Sequence, residues 1–258
     1  MIAFQCLFDE INNTFYCIEK IILQSIFPEM VLDFKNVFLK AMNASYRNGL
    51  DWELVGILTK ESKVYTLSYD SKILSGIFEI LCEPIIKQIA DNHGLEFEKA
   101  KQNQYPEFTL YDSQHPDKKS AIDIKSTYRQ FNNDGALKPF GFTLGSYRSY
   151  LRTPAKGILY PYNHYEKHWI IGFLYTRNTQ NKFTEIKQVI EASQLQPPFT
   201  DIQYFIQEKY RIAGKTPGSG NTTNIGSIKN SDINAFIHGE GPFATTEEFE
   251  NYWKNYGK

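Results

Sequence analysis

The run Ala121-Ile122-Asp123-Ile124-Lys125 alternates apolar and charged side chains, the signature of a β-strand whose two faces meet different surroundings. Ile122 and Ile124 then face the core, while Asp123 and Lys125 leave from the opposite face, about 6.5–7 Å apart. That separation lets a carboxylate hold a divalent cation while the ammonium reaches a group bound to the same ion. The same alternation also describes the solvated face of a sheet edge, so the strand's neighbours must decide.

Upstream, Tyr105-Pro106-Glu107-Phe108-Thr109-Leu110-Tyr111 offers a second strand headed by an acid. A hairpin across the polar turn Ser113 to Lys119 sets Glu107 beside Asp123. Two acids without imidazole or thiolate suit a hard, oxygen-seeking ion such as Mg²⁺. Such an ion lowers the pKa of bound water and offsets charge on a scissile phosphate. Lys125 is then suited to orient the attacking water or to stabilise developing negative charge.

Further out, the pattern is mixed α/β. Val31, Phe34, Val37, Phe38 and Met42 recur at helical spacing, and Leu54 to Leu58 and Val64 to Leu67 read as short strands about a Glu61-Ser62 turn. Ser71 caps a long helix toward His93, with Ile73, Ile77, Ile80 and Leu81 on one face, Pro84 as a kink or restart and Gly94 as a stop. Trp169 to Tyr175 is continuous enough for a buried strand, with Phe142 to Leu144 and Ile202 to Ile206 as weaker strand signals. Thr245 or Thr246 starts a last amphipathic helix, with Glu247 and Glu248 at its positive end.

The chain has 258 residues, 28 basic against 29 acidic, 41% hydrophobic and 22% charged. That composition excludes a mostly disordered chain, and no stretch reaches the length and apolarity of a membrane span. Near-neutral charge argues against a strongly basic, histone-like binder but leaves room for a basic groove. Cys6, Cys17 and Cys82 are too few and too irregular for a disulfide framework or a zinc site. The five histidines lack ligand or triad spacing, and His168 beside Trp169 is expected to be structural. Met1 to Phe8 lack a basic leader region, so the cytoplasm is the expected compartment. Residues 1–29 carry four acids against Lys20 and read as an extra N-terminal segment, with Ile18 to Ile26 compatible with a helix. The remaining 27 basic and 25 acidic residues form the expected domain 30–258.

The two strand motifs resemble the catalytic core of the EcoRV-type type II restriction endonucleases, in the PD-(D/E)xK nuclease superfamily. The likeness continues in order through Ile77-Phe78-Glu79, Pro84-Ile85-Ile86, Phe142-Thr143-Leu144-Gly145, His168-Trp169-Ile170-Ile171-Gly172 and Gly218-Ser219-Gly220-Asn221-Thr222-Thr223-Asn224-Ile225-Gly226-Ser227. It implies a mixed β-sheet core flanked by helices, and a homodimer acting on a palindromic duplex site. Cleavage would be Mg²⁺-dependent, with Mn²⁺ as a substitute, at GATATC, leaving blunt ends and 5′-phosphates.

By the same resemblance, Glu107, Asp123 and Lys125 are catalytic; Glu107, Asp123, Glu79 and the Ile124 carbonyl are metal contacts. The Gly218, Ser219, Gly220, Asn221, Thr222, Thr223 and Asn224 loop reads bases, its amide suited to an adenine edge in the major groove. Gln102 and Asn103 match a minor-groove loop, and Thr143, Lys156, Arg148 and Arg152 are candidate phosphate contacts. Gly214-Lys215-Thr216 imitates the end of a P-loop, but Lys209 stands where its first glycine belongs, so no nucleotide cofactor is expected.

Two departures stand out. Glu107 occupies the family's aspartate position, and one extra methylene displaces the carboxylate by about a bond length; a misplacement of about 1 Å can cost on the order of a hundredfold in rate. The family's basic tail is not matched beyond Lys258, which lowers the expected phosphate affinity. The alternatives left open are a specific DNA-binding relative with impaired cleavage and a nuclease of this fold with another target.

Overall fold

The computed structural model describes residues 7–9, 14–16, 33–45, 52–218 and 223–258. Strands β1 (Leu7–Asp9) and β2 (Thr14–Tyr16) pair antiparallel; the expected helix at 18–26 lies outside the described residues. Helix α1 (Phe34–Ser45) is followed by β3 (Gly56–Leu58) and β4 (Lys63–Thr66), a hairpin as expected. Then come α2 (Ser71–His93), β5 (Glu96–Lys99), β6 (Phe108–Tyr111), β7 (Lys119–Tyr128), β8 (Thr143–Ser146), β9 (Tyr165–Arg177), β10 (Ile186–Gln188) and β11 (Phe199–Glu208). A short α3 (Lys209–Ile212) leads into β12 (Ala213–Pro217) and β13 (Asn224–Ser227), and α4 (Asn234–His238) and α5 (Thr246–Asn255) complete the chain.

The central sheet runs β11-β9-β7-β6-β5, with β7 parallel to β9 and every other pair antiparallel. It is the restriction-endonuclease-like mixed sheet with flanking helices that the sequence predicts. On one face α1 and α2 cover Phe108, Ile122, Ile124, Ile171 and Phe173. On the other, Ala121, Ile170, Leu174 and Phe205 join Phe142, Leu144, Phe236, Phe249 and Trp253 in a second core. Gly172 is required between β9 and β11, because a Cβ there would lie 2.1 Å from the Phe205 ring.

Several expectations need correction. The N-cap of α2 is Asp70, whose carboxylate accepts from the Lys72 N–H; Gly94 does end the helix, in the left-handed conformation. Its buried face is Leu74, Phe78, Cys82, Ile85, Ile86 and Ile89, whereas Ile73 and Ile80 are exposed. The helix is apolar on two sides, so periodicity alone left the choice of face ambiguous. Pro84 sits inside it without ending it. Lys119 begins β7 rather than lying in a polar turn, its buried ammonium 3.5 Å from the Tyr111 ring centre and 3.9 Å from that of Tyr160. The irregular stretch after Gly214 is the β12–β13 hairpin. No described helix is long and apolar enough to cross a membrane.

Candidate active site

The register of β6 against β7 pairs Phe108 with Ile122, so Glu107, one step beyond, stands across from Asp123. The predicted pair is therefore brought together by strand pairing itself. Glu107 Oε2 accepts from the Ile124 N–H at 3.1 Å, and Lys125 Nζ donates to Glu107 Oε1 at 3.2 Å and to the Ile124 carbonyl at 3.1 Å. The same ammonium forms an ion pair with Asp123 Oδ2 at 2.8 Å. Asp123 and Lys125 do point away from Ile122 and Ile124, but not into solvent. Asp123 is only 2% exposed, because the second core covers this face of the sheet.

Burial in a low-dielectric setting disfavours charge, and close opposite charge restores it. Burial first, and then the charge of Asp123, push the Glu107 carboxyl well above the usual carboxylate range. Burial opposes ionisation of Asp123 too, but Lys125, the hydrogen bond to Glu107 and Lys209 together hold it below its ordinary value. A proton shared by the pair thus resides on Glu107, and Lys125 is kept charged by both acids against its own burial. Glu79, from α2, is raised by burial, partly relieved by Lys125. It lines the same cleft but does not complete a ligand group. Among the described residues, no three His, Cys, Asp or Glu side chains cluster to hold a metal. Glu107 and Ile124 line the cleft and Asp123 is buried beside them, so the donors at hand are Glu107, Asp123 and the Ile124 carbonyl. They are all oxygen, a set that fits a hard divalent cation.

The cleft above them measures about 920 Å³. Lys72, Lys125, Lys138 and Lys229 line it, with the hydroxyl residues Ser71, Ser75, Thr127, Thr143 and Thr216 and the base of the 218–224 loop. Gly218 donates its N–H to the Asn224 carbonyl at 2.9 Å, closing the loop at its neck, and Thr143 packs against Gly218. Thr223 and Asn224 are half-buried beside the neck; Ser219, Gly220, Asn221 and Thr222 lie outside the described residues. Gln102 and Asn103 form an exposed turn, and Lys156 is exposed beside Gly157, whose carbonyl accepts from the Tyr105 N–H. These three do not line the cleft.

The comparisons with known proteins agree with this geometry. Residues 48–258 match the family model described as "Restriction endonuclease EcoRV". The chain belongs to the EcoRV restriction endonuclease family. It is 43% identical over 217 residues to the type II restriction enzyme EcoRV of Escherichia coli, covering 83% of this chain and 86% of that protein. As a member of the EcoRV family it is an enzyme, a site-specific deoxyribonuclease.

Three further side chains stand near the site. Arg152 is not aimed at a phosphate: it donates to the Trp253 carbonyl at 3.4 Å and, more closely, to that of Tyr256, tying α5 to the Tyr147 turn. His168 is structural as expected. It is buried, stacked on Tyr162 with ring centres 4.5 Å apart, and its Nδ1 lies 2.7 Å from the Tyr105 hydroxyl. Burial, then Lys209, pulls it down to about 3, so it is neutral. Lys209 was noticed only as the residue that spoils a P-loop. It is a fully buried amine, pulled down by burial to about 7, and no local pattern in Gln207-Glu208-Lys209-Tyr210 marks it.

Proposed function

We propose that this chain is a Mg²⁺-dependent endonuclease, with Mn²⁺ as a substitute, that cuts both strands of a palindromic site as a homodimer in the cytoplasm. The resemblance makes GATATC the target, with blunt ends and 5′-phosphates. The observation that carries this reading is Glu107 opposite the buried Asp123, with Lys125 bound to both, and Glu107 and Lys125 lining a lysine-rich cleft. Asp123, Glu107 and the Ile124 carbonyl are the groups that would hold the cation, with Glu79 adding negative potential. When bound, the cation acidifies water and offsets charge on the scissile phosphate. Lys125 donates to a phosphate oxygen and stabilises charge that develops there.

In this reading the Gly218, Ser219, Gly220, Asn221, Thr222, Thr223 and Asn224 loop reads base edges. Gln102 and Asn103 touch the other groove, and Thr143 and Lys156 position the backbone. Residues 1–29 are an addition to the 30–258 endonuclease domain. Dimerisation is supported by the sheet β10-β4-β3. Ile186, Tyr65 and Ile57 stand side by side across its three strands at 56%, 42% and 64% exposed, beside Ile190 at 85%. An apolar row of that kind suits a second copy, and a two-fold dimer places one carboxylate–lysine site on each strand of a palindrome.

A second reading, specific binding with little cleavage, is favoured by the engagement of both Glu107 oxygens, which lays the longer side chain back along β7. Digestion of a plasmid bearing one GATATC site, in Mg²⁺ and then Mn²⁺, separates the two. The expected result is a linear product with blunt, 5′-phosphorylated ends. Specific binding without cuts in either metal establishes the second reading, and recovery by tenfold or more in Glu107→Asp would locate the fault in one methylene. Scattered ends would refute a restriction role.

A further inference from the structure

Behind the carboxylates lies a buried cluster that the reaction as described does not use. Lys209 opens α3 and is 1% exposed. Its Nζ donates to the Tyr150 hydroxyl at 3.0 Å and sits 4.4 Å from the ring centre of Tyr105 and 4.7 Å from that of Tyr150. Those two rings stack on each other 4.5 Å apart, and Tyr105 leads through Pro106 directly into Glu107. Among the described residues, no carboxylate lies within ion-pair distance of Lys209. The charged groups that act on it are Asp123, Lys125 and Glu107, all from the active site.

A buried ammonium without a direct carboxylate partner is expensive. Burial pulls Lys209 down to about 7, with Asp123 and Glu107 opposing that shift, and apolar replacement of buried charge is often neutral or stabilising. A fold that needed only packing here would be served better by Met or Leu. The aromatic faces and the Tyr150 oxygen recover part of the cost, and the remaining counter-charge is Asp123. Below neutral pH Asp123 thus feels two ammoniums, Lys125 toward the cleft and Lys209 from the core.

We infer that Lys209 is a positioning residue of the active site, acting through Tyr150 and Tyr105 to hold the wall behind Asp123 and Glu107, and supplying the core-side counter-charge to Asp123. The inference rests on the metal-dependent nuclease reading, and its test separates the two. The variants are Lys209→Met and Tyr150→Phe, the second keeping the ring while removing the oxygen that Lys209 meets. Both are compared with the wild-type full chain, which is assayed first.

For Lys209→Met, kcat is expected to fall tenfold or more, with KM and DNA binding in Ca²⁺ unchanged and Tm equal to or above wild type. A residue that merely packs would give the reverse, a lower Tm at an unchanged kcat. Adding Tyr150→Phe to Lys209→Met is expected to cost no further kcat, because both act along one path. In the protein without DNA, Mn²⁺ titrated at pH 6, below the value of about 7 to which burial pulls Lys209, and followed by electron paramagnetic resonance is expected to bind Lys209→Met at least fivefold more tightly, since a nearby positive charge has gone. Unchanged Mn²⁺ affinity overturns the inference, as does a kcat within twofold of wild type or a loss of kcat matched by a loss of DNA binding or Tm. If the wild type itself does not cut, the nuclease reading falls, and the Mn²⁺ titration alone decides the role of Lys209. A Lys209→Met chain that does not fold passes the decision to Tyr150→Phe, where unchanged kcat and unchanged Mn²⁺ affinity overturn the inference.

Discussion

Two sheets of this molecule bury their side chains in opposite ways. The five-stranded sheet is covered on both faces, by α1 and α2 on one side and by the Phe142–Trp253 core on the other. The three-stranded sheet β10-β4-β3 leaves Ile57, Tyr65 and Ile186 open to solvent. In the first, charges go where burial should forbid them: Asp123 is closed off and held ionised by ammoniums. In the second, apolar side chains stay where burial should be their reward. Each anomaly marks work done on something outside the chain. A buried, compensated carboxylate is poised for chemistry, and an uncovered apolar row is poised for association.

The sharpest way to break this comparison is to remove the charge that the first sheet protects. Asp123→Asn should lower cleavage about a thousandfold, near 4 kcal/mol of transition-state stabilisation, while the metal-free protein stays folded. Plasmid cleavage and circular dichroism check the two halves, and a variant that still cuts would remove Asp123 from the reaction.

The second sheet should answer at the level of assembly. Ile190→Asp should leave the fold intact while weakening the proposed dimer by about 2 kcal/mol, the scale of an interface hot spot. Analytical ultracentrifugation reads this directly, and an unchanged association constant would assign the apolar row to some other purpose.

The smallest effect probes Glu107 and depends on pH. Its carboxyl is raised in the folded protein, so at low pH both folded and unfolded states hold the proton and nothing is gained or lost. As pH climbs past the ordinary glutamate range near 4.3, the unfolded chain releases its proton first, and the folded state is increasingly disfavoured. Glu107→Gln removes that penalty. In a chelator its Tm should exceed wild type by about 2–4 °C at pH 8 and match it at pH 4. Equal melting at both values would mean that Glu107 is not strained by burial.

Much of this arrangement was legible before any coordinates. The alternation at Ala121–Lys125 and the acid ahead of Phe108 predicted the strand pair, and Thr245 with Glu248 predicted the last helix, where the Thr245 hydroxyl indeed accepts from the Glu248 N–H. What stayed hidden depended on contacts distant in sequence. Whether Asp123 met water or a second core was decided by Tyr150, His168 and Lys209, none of them near it in the chain. The buried face of α2 was ambiguous because Ile73 and Ile80 are as apolar as Leu74 and Phe78. Lys209 carried no signal, since a lysine inside a polar stretch reads as surface until the tyrosines of another segment close over it.

The register that sets Glu107 against Asp123 has a further consequence for how such a protein can change over time. A slip of β7 by a single residue would swing Asp123 and Lys125 in among Phe78, Ile86 and Phe173 and turn Ile122 and Ile124 toward the substrate. Chain that lost the site this way would also lose its core. The Asp112–Lys118 connection, outside that ladder, is where length can drift without penalty. Proofreading of the catalytic centre is in this sense delegated to the hydrogen-bond ladder of the sheet.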